Sequence, residues 1–393
     1  MIRVVSLTSS TKGSVMDQPE APSSNKPATP PRRPRSPGKL SKHHASLKVI
    51  GEYLGLSPAT ISLVINNAPG AKAIPEPTRL RVLAAAKKFD YRPSFFARAL
   101  QGQRTFSVGV LLPQLNDDYS GSIMEGVEDV LVEEGYFYLT ASHHRKPDLI
   151  EEYPRLLMDR AVEGFILIDT PTTRHEPWPV PVVAVAGHRL VPNVTNLTLD
   201  QRCAATLGLR HLYDLGHRKI AIMRGAACSS DSSDRWNCFR EAAIDLGIPI
   251  DPQLTLTIPL DMSSPEVGYP AARQLLLRKK TFTAIIAFND LAAIGAICAI
   301  REHGLKVPED ISVLGFDDIK LAAYQYPSLT TIRQPLHHIG RTAALTLLRR
   351  LTHQHIAEAP TISFLPELIV RQSTGVAKTA AELRPPKMKI RPR

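Results

Sequence analysis

Cysteine is scarce in this chain of 393 residues: only Cys203, Cys228, Cys238 and Cys298 are present, and no two form a C-x-x-C pair. Such scatter excludes a disulfide framework and a cysteine-bound zinc site, and fits reduced thiols. The histidine pairs His43-His44, His143-His144 and His337-His338 have no Cys or acid partners at ligand spacing, so no metal site is expected. Long apolar runs are missing too. The best candidate, "TAIIAFNDLAAIGAICAI", is interrupted by Asn289 and Asp290, which predicts no membrane span. The opening "MIRVVSLTSSTKGSVMDQPE" lacks an apolar core and a small-residue cleavage site. No signal peptide is therefore expected, and the chain reads as cytoplasmic. There is no G-x-G-x-x-G after a strand, no P-loop and no nucleophile elbow. The expectation is a protein that is not an enzyme and carries no cofactor.

What is present is unevenly distributed charge. The formal net charge is +11, composed of +6 in residues 1–45, +6 in 46–104, −6 in 105–376 and +5 in 377–393. A basic head on an acidic body suggests a polyanion-binding module joined to a sensor or enzyme. Residues 1–45 are rich in Pro, Ser and Arg without apolar periodicity, and are expected to be a disordered basic tail.

Residues 46–91 read as three short helices. In "SLKVIGEYL", Leu47, Ile50 and Leu54 share one face. Gly55 ends that helix, because glycine tolerates the left-handed conformation there. Ser57 then serves as an N-cap, with Pro58 at the first helical position. The second helix runs to Asn66 with Ile61, Val64 and Ile65 inward. The third, Thr78 to Phe89, is expected to bury Leu80, Leu83 and Phe89. Two helices meeting at a tight corner form a helix-turn-helix, which projects the second helix toward a DNA major groove.

From residue 105 the rhythm changes. Apolar runs such as "FSVGVLLP", "FILID", "VPVVAVAG", "KIAIMRG", "TAIIAFND" and "ISVLGFDD" alternate with amphipathic helical stretches. Near-continuous apolar strands between helices predict parallel sheets covered on both faces. The chain is long enough for two such sheets, with a ligand cleft at the carboxyl ends of their strands.

These segments together resemble the LacI/GalR family of bacterial transcriptional repressors over roughly residues 46–376. "LGLSPATISLVIN" is similar to the family headpiece and "YRPSFFARAL" to its hinge. "AIIAFNDLAAIGAICAIREHGLKVPEDISVLGFDD" and "YPSLTTIRQP" resemble the second lobe and crossover, and "LPELIVRQST" the last strand. The resemblance implies a small all-α helix-turn-helix headpiece (46–92) and a hinge helix with linker (93–104). A two-lobed α/β periplasmic-binding-protein-like core that dimerises follows (105–376), then a basic tail (377–393). It implies a cytoplasmic homodimer on a pseudo-palindromic double-stranded DNA operator, controlled by a small-molecule effector, with sugars foremost and nucleobases or other metabolites behind.

On this resemblance the DNA-binding residues are Ser57, Pro58, Ala59, Thr60, Ser62, Leu63 and Asn66 in the headpiece, and Ser94, Ala97, Arg98 and Leu100 in the hinge. Pro58, Ala59 and Leu63 occupy the base-reading positions and are apolar. They suit a thymine methyl and cannot form bidentate hydrogen bonds. Leu100 matches the family's minor-groove wedge, which unstacks a base step and bends the duplex. The loop "NNAPGAKAIPEP" is longer than usual, and Phe95 and Phe96 are bulkier than the usual hinge residues.

The effector-binding residues implied are Tyr119, Ser120, Arg235, Asn289 and Asp317. An arginine fork, an amide and a carboxylate suit a polyol, and Tyr119 suits stacking on a ring. Asp118 and Trp236 are secondary candidates, and Asp290 and Asp318 are expected to cap turns. Ala186 stands where many relatives place a hydroxyl-binding acid, so another residue supplies that contact or the ligand is not a common sugar. An enzyme and a periplasmic sugar receptor are the rival readings. The first lacks its motifs, and the second lacks a signal peptide and would not carry a helix-turn-helix.

Overall fold

The structure is a computed structural model. It describes residues 46–66, 68–91, 104–116, 118–171, 178–186, 191–226, 230–258, 265–278, 280–352 and 361–378. The chain divides into two compact units, Met1–Pro93 and Ser94–Arg393.

In the first unit, α1 (Leu47–Leu54) stops at Gly55, whose φ of 68° lets its N–H reach back to the Gly51 carbonyl. Ser57 caps α2 (Pro58–Ile65) by accepting from the Thr60 N–H, with Pro58 in the first turn. The chain turns through 108° between the two helices. A 3-10 turn (Pro69–Ala73) leads to α3 (Glu76–Lys88). The core is Ile50, Ile61, Val64, Val82 and Ala85, with Leu47, Leu54, Ile65 and Phe89 packed around it. The third helix thus corrects the sequence reading: Leu80 and Leu83 are 60% and 49% exposed. The inward stripe is Val82, Ala85 and Phe89, at helical spacing, and the two leucines fall on its other face.

The second unit holds two six-stranded sheets. Its strands are β1 (Ser107–Leu112), β2 (Phe137–Ser142), β3 (Gly164–Ile168), β4 (Val182–Val185), β5 (Val194–Leu199) and β6 (Ile220–Arg224). They continue with β7 (Thr255–Thr257), β8 (Ala284–Ile286), β9 (Ser312–Asp317), β10 (Thr330–Arg333), β11 (Thr361–Phe364) and β12 (Glu367–Ile369). The helices are α4 (Asp118–Glu133), α5 (Pro147–Met158), α6 (Gln201–Asp214), α7 (Ser230–Asp245), α8 (Pro265–Leu277), α9 (Asp290–Glu302), α10 (Lys320–Tyr324) and α11 (Leu336–Thr352).

The first sheet runs β11-β5-β4-β3-β1-β2 and the second β12-β10-β9-β8-β6-β7. Every pairing is parallel except β10 with β12. β1, β3, β4 and β9 are buried along their whole length, as two-sided coverage requires. The chain passes between the sheets after β5, after β10 and after β11, so three connections tie two lobes together.

Close helix crossings need glycine. A Cβ on Gly126 of α4 would lie 2.0 Å from the His337 carbonyl of α11, and one on Gly268 of α8 would lie 1.9 Å from the Ala292 carbonyl of α9. Strands β5 and β11 are additions to the sequence reading. β5 hides polar Thr195 and Asn196 in its interior, and β11 is a short, largely exposed edge. Among the described residues no single helix is long and apolar enough to cross a membrane.

Candidate functional site

The cleft of the core gathers around Tyr119, half-buried in the first turn of α4. Its phenol is held well above the usual tyrosine range. Burial is the main cause, followed by the negative charges of Asp231, Asp169 and Asp317, against the pull of Arg235. One side chain therefore senses charged groups from both lobes. Ser120 is buried beside it in the chain.

Arg235 is buried on α7 and already well satisfied. Its Nη2 donates to Asp231 Oδ2 at 2.6 Å, Nη1 to the Phe288 carbonyl at 2.8 Å and Nε to Gln201 Oε1 at 3.2 Å. Gln201 closes the triangle by donating from Nε2 to Asp231 Oδ1 at 2.6 Å. The guanidinium lies 3.7 Å from the Phe316 ring centroid, a stacking geometry suited to its flat, weakly hydrated face. Arg235 is thus a fixed donor platform, with two of its five N–H groups beyond these three bonds.

Asp317 is buried at the end of β9 and accepts from Gln334 Nε2 at 2.7 Å. Asn289 does a second job that the sequence reading did not assign: its Oδ1 accepts from the Ala292 N–H at 2.9 Å and caps α9. Its amide nitrogen takes no part in that cap. Asp290 and Asp318 are structural, though neither caps the turn that follows it. Asp290 is fully buried and accepts from Ile319 N–H (2.9 Å) and Thr331 Oγ1 (2.6 Å). Burial pushes its carboxyl up to about 7. Asp318 joins Arg333 and Arg371, each at 2.7 Å.

Two residues missed by sequence reasoning complete the first lobe's side. Asp169 follows β3, and its N–H donates to the Val185 carbonyl, which places it beside Ala186 at the end of β4. An acid is therefore available next to the position where Ala186 lacks one. Burial raises the Asp169 pKa, opposed by Arg145, whose Nη2 sits 2.5 Å from Asp169 Oδ2. Arg145 is presented by a strained turn in which His144 and Arg145 have φ of 49° and 56°. Asp169, Ala186 and Asp317 also have positive φ (42°, 59° and 110°), so strain collects at these strand ends. Asp231 and Gln201 were missed as well. A surplus of carboxylates around one tyrosine was the available signal, legible only once the strands are aligned.

Beneath Arg235 lies a cavity of about 20 Å³ lined by Arg224, Gly225, Ser232, Trp236 and Phe288. Trp236 therefore backs the site, with the Arg224 guanidinium 4.9 Å from its ring centroid. Asp118 lines a hollow of about 230 Å³ with Ser122, Glu125 and Lys320. Lys320 Nζ from the second lobe meets Glu125 Oε1 from the first at 2.6 Å.

In the headpiece, Ser57, Pro58, Ala59 and Leu63 are exposed, while Thr60, Ser62 and Asn66 are half-buried. The small polar residues bond to one another: Ser57 with Thr60 (2.8 Å between oxygens), and Asn66 Nδ2 to Ser62 Oγ (3.1 Å). Ser94, Ala97, Arg98 and Leu100, with the rest of the expected hinge helix, lie outside the described residues.

A family model described as a periplasmic binding protein-like domain matches residues 209–374. The chain is 31% identical over 339 residues to the HTH-type transcriptional repressor PurR of Haemophilus influenzae, covering 84% of this chain and 98% of that protein. Its fold is similar to the lac repressor dimer bound to operator and the anti-inducer ONPF. That likeness has a TM-score of 0.72 and 25% identity, over 85% of this chain and 100% of that one. It is also similar to the transcriptional regulator CelR in complex with cellobiose, with a TM-score of 0.61 and 27% identity over 84% and 99% of the two chains.

Proposed function

Because this chain belongs to the LacI/GalR family of DNA-binding transcriptional repressors, we propose that it is a homodimeric repressor whose affinity for a pseudo-palindromic operator is set by a sugar or sugar derivative held between its lobes. The observation that carries the ligand class is the set of carboxylates Asp169, Asp231 and Asp317 around Tyr119 and Arg235. Vicinal hydroxyls donate to such carboxylates and accept from the guanidinium, while the Tyr119 ring offers a stacking face. Three acids against two guanidiniums, both already paired, oppose a carboxylate or phosphate ligand.

In this reading Tyr119, Ser120, Arg235, Asp317 and the Asn289 amide contact the effector, with Asp169 standing in for the acid absent at Ala186. Ser57, Thr60, Ser62 and Asn66 position the recognition helix on the phosphate backbone, and Pro58, Ala59 and Leu63 face the bases. Leu100 wedges a minor-groove step, with Ser94, Ala97 and Arg98 beside it. The exposed Leu321, Tyr324 and Tyr326 (44%, 86% and 78%) offer an apolar face for the second copy. Effector binding shifts the lobes, and through them the hinge, between two arrangements.

The test uses full-length protein and genomic fragments at near-physiological salt. One short palindrome should be enriched, and Leu100→Ala should reduce binding to the weak, salt-sensitive level. Thermal-shift screening against monosaccharides, disaccharides and purine bases then reads the ligand. A sugar should raise the melting temperature of the wild type and not of Asp317→Asn, which keeps an acceptor for Gln334 but loses the charge. A shift with a purine base and with no sugar would overturn the ligand class.

A further inference from the structure

We infer that the recognition helix reads its operator through the C5-methyl groups of the major groove, with Leu63 as the principal reader. This rests on the DNA-binding reading above and specifies its chemistry.

α2 contains no charged residue. Its hydrogen-bonding side chains are short and engaged with one another: Ser57 with Thr60 and Ser62 with Asn66. Ser57, Thr60 and Ser62 lack the length of the pairings that read two groups of a base at once, and Asn66, at the C-cap, has its amide nitrogen bonded to Ser62 Oγ. The burial of Ile61 and Val64 fixes which way the helix faces. The opposite side presents Ala59 and Leu63, one turn apart, and Pro58 is exposed at the start of the helix.

Leu63 is the largest outward side chain of the helix, at 38% exposure. Gly70, in the 3-10 turn that follows, lies behind it: a Cβ there would sit 3.5 and 3.7 Å from the two Leu63 methyls. Because residue 70 is a glycine, no side chain from it covers the Leu63 methyls.

In the major groove the apolar feature of a base pair is the methyl on C5 of thymine. 5-Methylcytosine carries the same methyl at the same place, while cytosine and uracil lack it. A helix whose exposed side chains are proline, alanine and leucine therefore separates methylated from unmethylated pyrimidines rather than one hydrogen-bond pattern from another. Affinity has a separate source in the basic residues of the headpiece that lie off α2, namely Lys48, Lys72, Arg79 and Arg81.

The test starts from the enriched operator and full-length protein. Each thymine of a half-site is replaced in turn by deoxyuridine, which removes only the methyl. One or two positions per half-site should lose about four-fold in affinity, the value of one buried methyl. At those positions a 5-methylcytosine–inosine pair changes the major-groove hydrogen-bonding groups, keeps the methyl and keeps the minor groove free of an amino group. It should retain affinity within about two-fold, and a cytosine–inosine pair should fall as uracil does. In Leu63→Ala the ratio between thymine and uracil duplexes should drop toward one, while circular dichroism shows the headpiece still folded.

Equal affinity for thymine and uracil at every position, alongside sensitivity to base-pair exchange, would overturn the inference and leave operator binding intact. An unchanged ratio in Leu63→Ala would overturn the role of Leu63. If no operator is enriched at all, sequence-specific DNA binding falls, and methyl readout falls with it.

Discussion

Replacing His143 with Gln should remove a pH-dependent weakness of the core that appears between pH 7.5 and pH 5. His143 follows β2 and is fully buried. Its Nδ1 accepts from the Arg145 N–H at 3.0 Å. Its Nε2 faces Thr170 Oγ1 at 3.0 Å, and that hydroxyl lies 2.9 Å from the Ile168 carbonyl. The hydroxyl proton goes to the carbonyl, so Nε2 is the protonated nitrogen and Nδ1 must stay bare. A second proton would meet the Arg145 N–H. Burial depresses the imidazole to about 4, with the charges of Arg145 and His144 adding to the effect. The unfolded chain takes up this proton near pH 6.5. Between pH 6.5 and 4 the unfolded state binds more protons than the native one, so stability is full above 6.5 and falls with falling pH. By pH 5 the loss amounts to about 2 kcal/mol.

Asp290 works in the opposite sense over this range, so the absolute pH slope of the wild type mixes both groups. The difference between wild type and His143→Gln isolates the histidine. Urea unfolding followed by tryptophan fluorescence at the two pH values measures it. The wild type should lose about 2 kcal/mol relative to the variant on acidification. Parallel losses in both proteins would refute the assignment of the neutral imidazole.

Other substitutions probe other parts of the frame. Asp290 has a folded pKa raised to about 7. The native state therefore holds a proton that the unfolded chain has released, and stability falls as pH rises from about 4 to 7. Asp290→Asn should accordingly gain on the wild type by more than about 1 kcal/mol between pH 5 and pH 8 in the same urea assay. Gly268→Ala drives a methyl into the Ala292 carbonyl, and should cost about 3 kcal/mol and lower the melting temperature of the core. In the headpiece, Leu80→Glu should change thermal stability by no more than about 0.5 kcal/mol. Val82→Ala, at a fully buried position, should cost about 2 kcal/mol.

The headpiece was legible wherever structure is local. Gly55, Ser57 and Pro58 act through the backbone of their immediate neighbours, so their pattern gave the corner directly. The third helix was legible in place but misread in face, because two leucines outweighed the smaller Val82 and Ala85. A short helix buries whichever stripe its tertiary contacts select. In the core the apolar strands stood out, and β5 did not, because Thr195 and Asn196 interrupt its apolar run while sitting in the interior. Of the cleft, Tyr119, Arg235 and Asp317 were named through resemblance. Asp169 and Arg145 escaped because their place follows from the register of β3 beside β4 and from a strained turn, neither of which leaves a mark in the order of residues.

Both guanidiniums of the cleft are paired within their own lobe before any ligand arrives. Arg145 pairs with Asp169 on the first lobe, and Arg235 pairs with Asp231 on the second. Neither of these two pairs crosses between the lobes, so separating the lobes breaks neither. Under the proposed reading, a neutral polyol joins the faces by using the lone pairs and N–H groups those ion pairs leave over, and neither pair has to break. An anionic ligand would add negative charge beside Asp169, Asp231 and Asp317, where both guanidiniums are already paired. Under the proposed reading this excess of acid favours a ligand that brings many hydroxyls and no charge.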